Sequence, residues 1–268
     1  GLSNLINEIY GCVNDGNILK IKLSCFISFM KRIYCSSILS KGSTYQLEEK
    51  YYIHLIKVMR LNIDNEITLF NQKSGEWLAK IKNIKKNMVS AEIIKKISSP
   101  VSVSNISLLF SPIKYLNSES IIRQSTEMGI RNIYPTFFQR TVIKKINQSK
   151  FEHYAIGAAQ QCGRTSIPNI KPLKKLENQI DLISKSNVLM FDENLQGNQI
   201  NKINSINESN KDIIVIIGPE GGFEDNERLL ISKNSLTYNN VSLGESILKA
   251  DTAVIAALTL TFHYFSLK

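Results

Sequence analysis

The residues best suited to hold a ligand form a glycine-rich loop, Gly218-Pro219-Glu220-Gly221-Gly222, directly after the apolar run at residues 212–217. Glycines let a backbone bend sharply and approach a ligand closely. Such loops usually bind phosphate, but Gly-Lys-Ser/Thr and the GxGxxG spacing are both missing here. The Glu220 carboxylate would also repel a pyrophosphate. It favours a ligand with positive charge, such as the sulfonium and ammonium groups of S-adenosylmethionine (SAM).

A second segment, residues 241–253, predicts a short strand that ends at a loop containing Gly244, followed by a helix that runs to about Phe265. This helix is apolar nearly all round, so most of its surface must be buried. It either packs on the sheet of its own chain or forms a subunit interface, and the sequence favours the two equally.

The elements around these segments predict an α/β domain with a parallel sheet flanked by helices. Strands are expected at residues 105–110, 132–135, 187–191 and 212–217, and helices at 118–128 and 148–163. Ser118 is the expected N-cap of the first helix and Gly129 its C-cap. Ligands bind beyond the carboxyl ends of such strands, where the glycine-rich loop would lie.

Residues 30–97 have a different pattern, mainly of β type. A short amphipathic helix is expected within residues 48–60, and strands at 66–70, 76–84 and 88–94. Short strands with tight turns and a basic surface predict a small barrel. Ser98-Ser99-Pro100 marks the expected domain boundary, and residues 1–29 form an extension of unknown role.

Positive charge is concentrated in the first half of the chain. Residues 1–150 hold 22 Lys/Arg and 10 Asp/Glu, whereas residues 151–268 hold 11 and 13. The net charge of +10 therefore arises before residue 151. A basic module joined to a near-neutral one suggests that the first part binds a polyanion such as nucleic acid.

Composition excludes several other classes of protein. The four cysteines form no CxxC pair and no Cys/His cluster, which argues against zinc and against a disulfide scaffold and fits reduced thiols in the cytoplasm. No apolar run reaches the roughly 18 residues that a membrane span needs. We therefore expect no metal and no membrane.

Five ordered motifs together resemble the RsmE-type ribosomal RNA methyltransferases of the SPOUT superfamily. The segments are residues 54–60 with 64–66, residues 123–130 with 133–135 and 140–141, residues 159–164 with 167–170, the loop GPEGGF, and LGxxIL followed by Thr252-Ala253. The resemblance runs from about Met30 to the C-terminus. It implies a SAM-dependent enzyme that methylates N3 of a uridine in 16S ribosomal RNA of the small ribosomal subunit.

The resemblance also implies an architecture and partners. Residues 30–100 would form a PUA-like RNA-binding β-barrel, and residues 101–268 a methyltransferase domain with a parallel sheet and a C-terminal deep trefoil knot. Such a knot is an exception to the rule that chains avoid threading. The implied enzyme is a cytoplasmic homodimer whose partners are 16S ribosomal RNA or the small subunit.

Carried over position by position, the resemblance assigns three groups of residues. The cofactor-binding positions are Leu189, Gly218, Glu220, Gly221, Gly222, Val241, Leu243, Gly244, Ile247 and Leu248, and the stretch from Leu189 to Asp192 is expected to form the remaining wall. Uridine N3 must lose a proton, so a cation that stabilises the anion and a polar partner are needed; the expected catalytic residues are Arg164, Arg123 and Glu127. The expected substrate-binding residues are Arg140, Gln161, Lys249, Arg60 and Lys57.

This chain departs from the family pattern near the second segment. Ser246 and Lys249 stand where the family usually has arginine, and Asp251 stands where it has glutamate. Ser246 removes a cation, which leaves open a non-catalytic RNA-binding or ribosome-assembly factor that keeps the fold. A knotted methyltransferase that acts on another RNA position is a further alternative, and a nucleotide-binding oxidoreductase is a distant one.

Overall fold

The computed structural model describes residues 31–113, 115–192, 197–198, 200, 203, 206 and 212–266, so the extension at residues 1–29 lies outside the described residues. The chain divides into two compact units. The first comprises the chain up to Phe70 together with Glu76–Ser99, and the second comprises Asn71–Gly75 together with Pro100–Lys268.

The first unit is a five-stranded sheet with a short helix. Its strands β1 (Arg32–Tyr34), β2 (Thr44–Leu47), β3 (Glu66–Asn71), β4 (Gly75–Lys85) and β5 (Met88–Ser98) pair in the order β1-β3-β4-β5-β2. A two-residue turn joins β4 to β5, and both of its residues, Lys86 and Asn87, have positive φ, which matches the twist of a tight hairpin. The three predicted strands of this region are confirmed, with longer bounds.

The predicted amphipathic helix of the first unit is present but changes its winding. Helix α1 (Glu49–Tyr52) continues as a π-helix at Ile53–Val58. Leu55 is fully buried in the core of this unit, and Tyr52, Ile56 and Met59 pack against that core. The apolar spacing therefore predicted the buried face correctly, although it could not predict the wider winding.

The second unit is an α/β domain, as expected. Strands β6 (Ile106–Phe110), β7 (Asn132–Phe137), β8 (Asn169–Ile170), β10 (Asn187–Phe191), β11 (Ile213–Ile217) and β12 (Thr237–Asn240) pair in parallel in the order β12-β10-β11-β6-β7-β8. The short strand β9 (Lys174–Lys175) pairs with the end of β7. Because every pair is parallel, all the carboxyl ends lie at one edge of this sheet.

The helices of this unit run back from the carboxyl edge to the amino edge of the sheet, and all but the last connect two strands. They are α2 (Tyr115–Met128), α3 (Gln148–Cys162), the short α4 (Ile180–Ile183), α5 (Asp225–Asn234) and the C-terminal α6 (Ala250–Ser266). Gly129 ends α2 with φ +82°, which confirms the predicted C-cap. The knot implied by the resemblance stays a prediction.

Ser118 is not the N-cap of α2, so that prediction is wrong. The helix begins three residues earlier, at Tyr115. The Ser118 hydroxyl instead donates to the Ile113 carbonyl oxygen (2.8 Å) and accepts from the Ile113 N–H (3.2 Å). The side chain therefore does satisfy backbone groups ahead of the helix, but from a position inside it.

Helix α6 packs against α2 and β11 of its own chain. Val254, Ala257, Leu258 and Thr261 are fully buried, whereas Ile255 is 36% exposed. The first of the two predicted roles, packing on the sheet, therefore accounts for the buried face. No helix in the described part of the chain is long and apolar enough to span a membrane.

Candidate active site

A cavity of about 320 Å³ lies in the second unit at the carboxyl edge of the sheet. Three stretches of chain enclose it: Phe191 and Asp192 at the end of β10, residues 217–223 after β11, and residues 241–253 before and within α6. The two segments singled out in the sequence therefore lie on the same cavity. Its size is that of a small-molecule site.

The glycine-rich loop turns tightly, and two of its glycines are required by the geometry. The Gly222 N–H donates to the Pro219 carbonyl oxygen (2.8 Å), and Gly222 has φ +75°. A Cβ on Gly218 would lie 2.5 Å from the Phe223 ring. That ring makes an edge-to-face contact with Phe138 (centroids 5.1 Å apart), so it cannot easily move away.

Two contacts anchor this loop and the start of α5 to the segment after β7. The buried Glu227 carboxylate accepts from the Glu224 N–H (2.9 Å) and from the Gln139 N–H (2.8 Å). Arg140 donates from Nε to Glu224 (2.7 Å) and from Nη1 to the Gly221 carbonyl oxygen (2.6 Å). The loop that lines the cavity is thus held from outside as well as by its own turn.

Another cavity wall rests on a buried ion pair that sequence reasoning missed. The Asp192 side chain is fully buried and accepts from Arg228 Nε at 2.6 Å. Arg228 also pairs with Asp225 (2.8 Å), and the hydrogen bond to Asp192 raises the pKa of Arg228. The sequence does show that Asp192 directly follows a buried apolar strand, which marks it as a candidate site residue. Nothing in the sequence links Asp192 to Arg228.

Most of the predicted cofactor-binding residues lie on the cavity, namely Gly218, Glu220, Gly222, Val241, Leu243, Gly244, Ile247 and Leu248. Leu189 does not line it, because it is buried in the core two residues before β10 ends. Gly221 does not line it either and packs against the Arg140 side chain. Phe191 and Asp192, from the stretch expected to form the remaining wall, do line it, and the lining residues that were not assigned to the cofactor include Pro219, Ser242, Ala250 and Ala253.

The three expected catalytic residues do not line this cavity. The Arg164 guanidinium packs against Gly129, the C-cap of α2, which lies beside the amino end of β6. Arg123 pairs with Glu119 of its own helix (2.8 Å), and Glu127 is exposed near the end of α2. Within one chain, Arg164 and Glu127 therefore lie at the opposite edge of the sheet from the cavity.

The expected substrate-binding residues are divided between the two units. Lys249 lines the cavity, and Arg140 contacts the glycine-rich loop. Gln161 is exposed near the end of α3. Lys57 and Arg60 are exposed in the first unit. Among the described residues, no group of three or more His, Cys, Asp or Glu side chains could hold a metal ion.

Comparison with known proteins relates both units to RNA methyltransferases. Residues 100–261 match the family model of the RNA methyltransferase domain, and residues 52–94 match that of the RNA methyltransferase PUA domain. The ribosomal RNA small subunit methyltransferase E of Rickettsia conorii is 33% identical over 85% of this chain and 93% of its own length. The protein of the same name from Buchnera aphidicola of Acyrthosiphon pisum is 30% identical over 85% and 91%.

Solved structures share the fold over most of the chain. A Legionella pneumophila protein in complex with the bound cofactor SAM is 27% identical, with a TM-score of 0.77, and covers 87% of this chain and 97% of its own. A ribosomal RNA small subunit methyltransferase E from Neisseria gonorrhoeae bound to SAM has the same TM-score and coverage at 24% identity. By sequence and by fold, the chain belongs to the family of the ribosomal RNA small subunit methyltransferases E.

Proposed function

We propose that the chain uses SAM to methylate uridine N3 in 16S ribosomal RNA of the small ribosomal subunit, in the cytoplasm and as a homodimer. One observation carries the proposal: the loop after β11 and the segment before α6 meet at one cavity at the carboxyl edge of the sheet. Relatives that share this name and neighbours solved with SAM support it.

The residues around the cavity fit SAM. Glu220 supplies a carboxylate beside glycines that allow close approach, which suits a cationic ligand and not a pyrophosphate. Val241, Leu243, Ile247 and Leu248 supply an apolar wall for an adenosine group. When bound, SAM supplies an activated methyl group on a sulfonium, so neither a metal nor a covalent enzyme intermediate is required.

The residues of this chain then have to position the uridine and stabilise charge at N3. Methyl transfer of this kind is an in-line displacement, so alignment of the two reactants and exclusion of water lower its barrier. We assign stabilisation of the uridine anion to Lys249, which lines the cavity, and positioning of the loop to Arg140. Arg164 and Glu127, at the opposite edge of the sheet, would act on the cavity of a second subunit, and Arg123 does not line the cavity of its own chain.

Nucleoside mass spectrometry tests the reaction. Small subunits from a strain that lacks the enzyme are incubated with the purified chain and SAM, and we expect N3-methyluridine to appear. A 2′-O-methylated nucleoside would show that a related activity is present instead. Calorimetry should give a SAM dissociation constant of micromolar order, and well-folded protein that binds no SAM would refute the cofactor assignment.

A non-catalytic RNA-binding factor is the second candidate, because Ser246 lines the cavity where the family usually has arginine. Ser246→Arg is the direct test. If wild-type chain binds SAM and RNA without product, and the variant gains turnover, the chain has lost activity while keeping its ligands. If wild-type chain already turns over, this candidate is excluded.

A further inference from the structure

The boundary between the two units lies near residue 100, so the positive charge can be counted again on either side of it. Residues 1–99 hold 15 Lys/Arg and 8 Asp/Glu, and residues 100–268 hold 18 and 15. Residues 100–268 are therefore also basic, by +3. Their stretch 139–175 holds 8 basic residues and only Glu152 as an acid, so the rest of them is net acidic. Basic charge in the methyltransferase domain is concentrated in one stretch.

Part of that stretch forms a groove of about 270 Å³, which we call the lysine groove, lined by Phe137, Lys144, Leu173, Lys174 and Lys175. The parallel pairing of β9 with the end of β7 places Lys174 opposite Thr136 and Lys175 opposite Phe137. Lys144 comes from the segment that follows β7. All three lysines are exposed.

The lysines of the lysine groove form no ion pair with an acidic residue in the described part of the chain. Among the described residues of the second unit, the ion pairs involve Arg123, Arg131, Arg140, Lys185 and Arg228 but none of the three groove lysines. The half-buried side chains of Phe137 and Leu173 supply apolar surface between the ammonium groups. Lysines beside an aromatic surface are the combination that binds the phosphates and bases of single-stranded nucleic acid.

The lysine groove lies at the same edge of the sheet as the cavity, and a continuous segment links the two. Phe137 ends β7, Phe138 contacts Phe223, and Arg140 holds the glycine-rich loop through Gly221 and Glu224. An RNA strand bound in the groove would thus lie along the segment that supports the loop wall. This link to the cavity favours RNA over an acidic protein partner, because only RNA has to reach the cavity.

We propose that the lysine groove binds the phosphate backbone of the substrate RNA and is a second RNA contact, on the methyltransferase domain itself. This inference rests on the proposed function. It assigns to residues 137–175 part of the docking role that the charge of the first half assigns to the PUA domain. The contact leads the RNA toward the cavity at the carboxyl edge.

Removing two groove lysines tests the inference in the full-length chain. The variant Lys174→Gln/Lys175→Gln is compared with Lys185→Gln/Lys233→Gln, a control that removes equal charge at the amino edge of the same sheet. The probe is a 16S ribosomal RNA transcript, and its affinity is measured across a range of salt concentrations. Thermal unfolding and SAM binding of both variants should match the wild type.

If the groove binds phosphates, the double variant should bind RNA about 25-fold to 60-fold more weakly at 0.1 M salt. The slope of log affinity against log salt should be shallower by about 1.4 to 1.8, because each lost phosphate contact contributes about 0.7 to 0.9. Methylation at subsaturating RNA should fall in parallel, while the control changes by less than about threefold.

Equal affinities and slopes for the double variant and the control would overturn the inference. Failure of the proposed function would be seen differently, as absence of N3-methyluridine with the wild-type chain. In that case the salt slopes would still decide whether the groove binds RNA.

Discussion

At the scale of single residues, the cavity depends on positions where a side chain is excluded or a charge is enclosed. Gly218 leaves room for the Phe223 ring, and the buried Asp192 carboxylate is compensated by Arg228. The first requirement follows from the close packing of protein interiors. The second follows from the cost of leaving a buried charge without its partner.

Substitution of Gly218 should damage the cavity wall. In Gly218→Ala the new Cβ meets the Phe223 ring at 2.5 Å, so the loop has to shift. We expect SAM affinity to fall by at least about tenfold and stability by about 1–3 kcal/mol. Gly157→Ala is the matched control, since the nearest atom, on Arg123, is 3.8 Å away. Wild-type SAM affinity in Gly218→Ala would contradict the role of this glycine.

Removal of Arg228 should be costly, because it leaves Asp192 buried and unpaired. We expect Arg228→Met to lower the free energy of unfolding by about 3 kcal/mol in urea denaturation. Arg131→Met is the control, since Arg131 and Asp212 pair at 2.8 Å with side chains 42% and 55% exposed. Such a pair contributes less than about 1 kcal/mol. Equal losses in the two variants would contradict the claim that Arg228 is needed to compensate the buried charge of Asp192.

At the scale of elements, the carboxyl edge of the sheet is built by contacts between segments that are distant in the chain. Glu227, in the first turn of α5, joins the start of that helix to Gln139, beyond the end of β7. Acids in the first turn of a helix commonly offset the helix dipole. The structure shows that this one also holds two elements together.

Loss of the Glu227 carboxylate should therefore loosen the loop as well as the helix. In Glu227→Ala two backbone N–H groups lose their acceptor, and we expect a loss of about 2–3 kcal/mol. Glu177→Ala, at an exposed acid in a 3-10 turn, is the control and should change stability by less than about 0.5 kcal/mol. Hydrogen exchange should show faster opening at residues 138–141 and 218–224 in Glu227→Ala alone.

At the scale of the whole molecule, oligomeric state decides whether Arg123, Glu127 and Arg164 can take part in catalysis. In one chain, Arg164 and Glu127 lie at the amino edge of the sheet, away from the cavity. A second subunit could bring them to it. The catalytic role that the resemblance implies for these residues therefore requires a homodimer.

Sedimentation equilibrium tests this condition. From the chain mass of 30.3 kDa we expect a species of about 61 kDa at micromolar concentration. In the dimer, Arg164→Ala should lower kcat more than it lowers SAM affinity. A monomer with full activity would remove these three residues from the mechanism and leave Lys249 as the cation at the cavity.

The sequence by itself determined the parallel sheet, the glycine-rich loop at its carboxyl edge and most of the cavity wall. It could do so because turns, strand alternation and the position of ligands in parallel sheets depend on residues that are close along the chain. Tertiary structure decided the rest: Arg164 packs against Gly129, Asp192 pairs with Arg228, and Lys144 joins Lys174 and Lys175 in one groove. These contacts join residues 30 to 36 positions apart, and only the direction of each helix and the pairing of each strand bring them together.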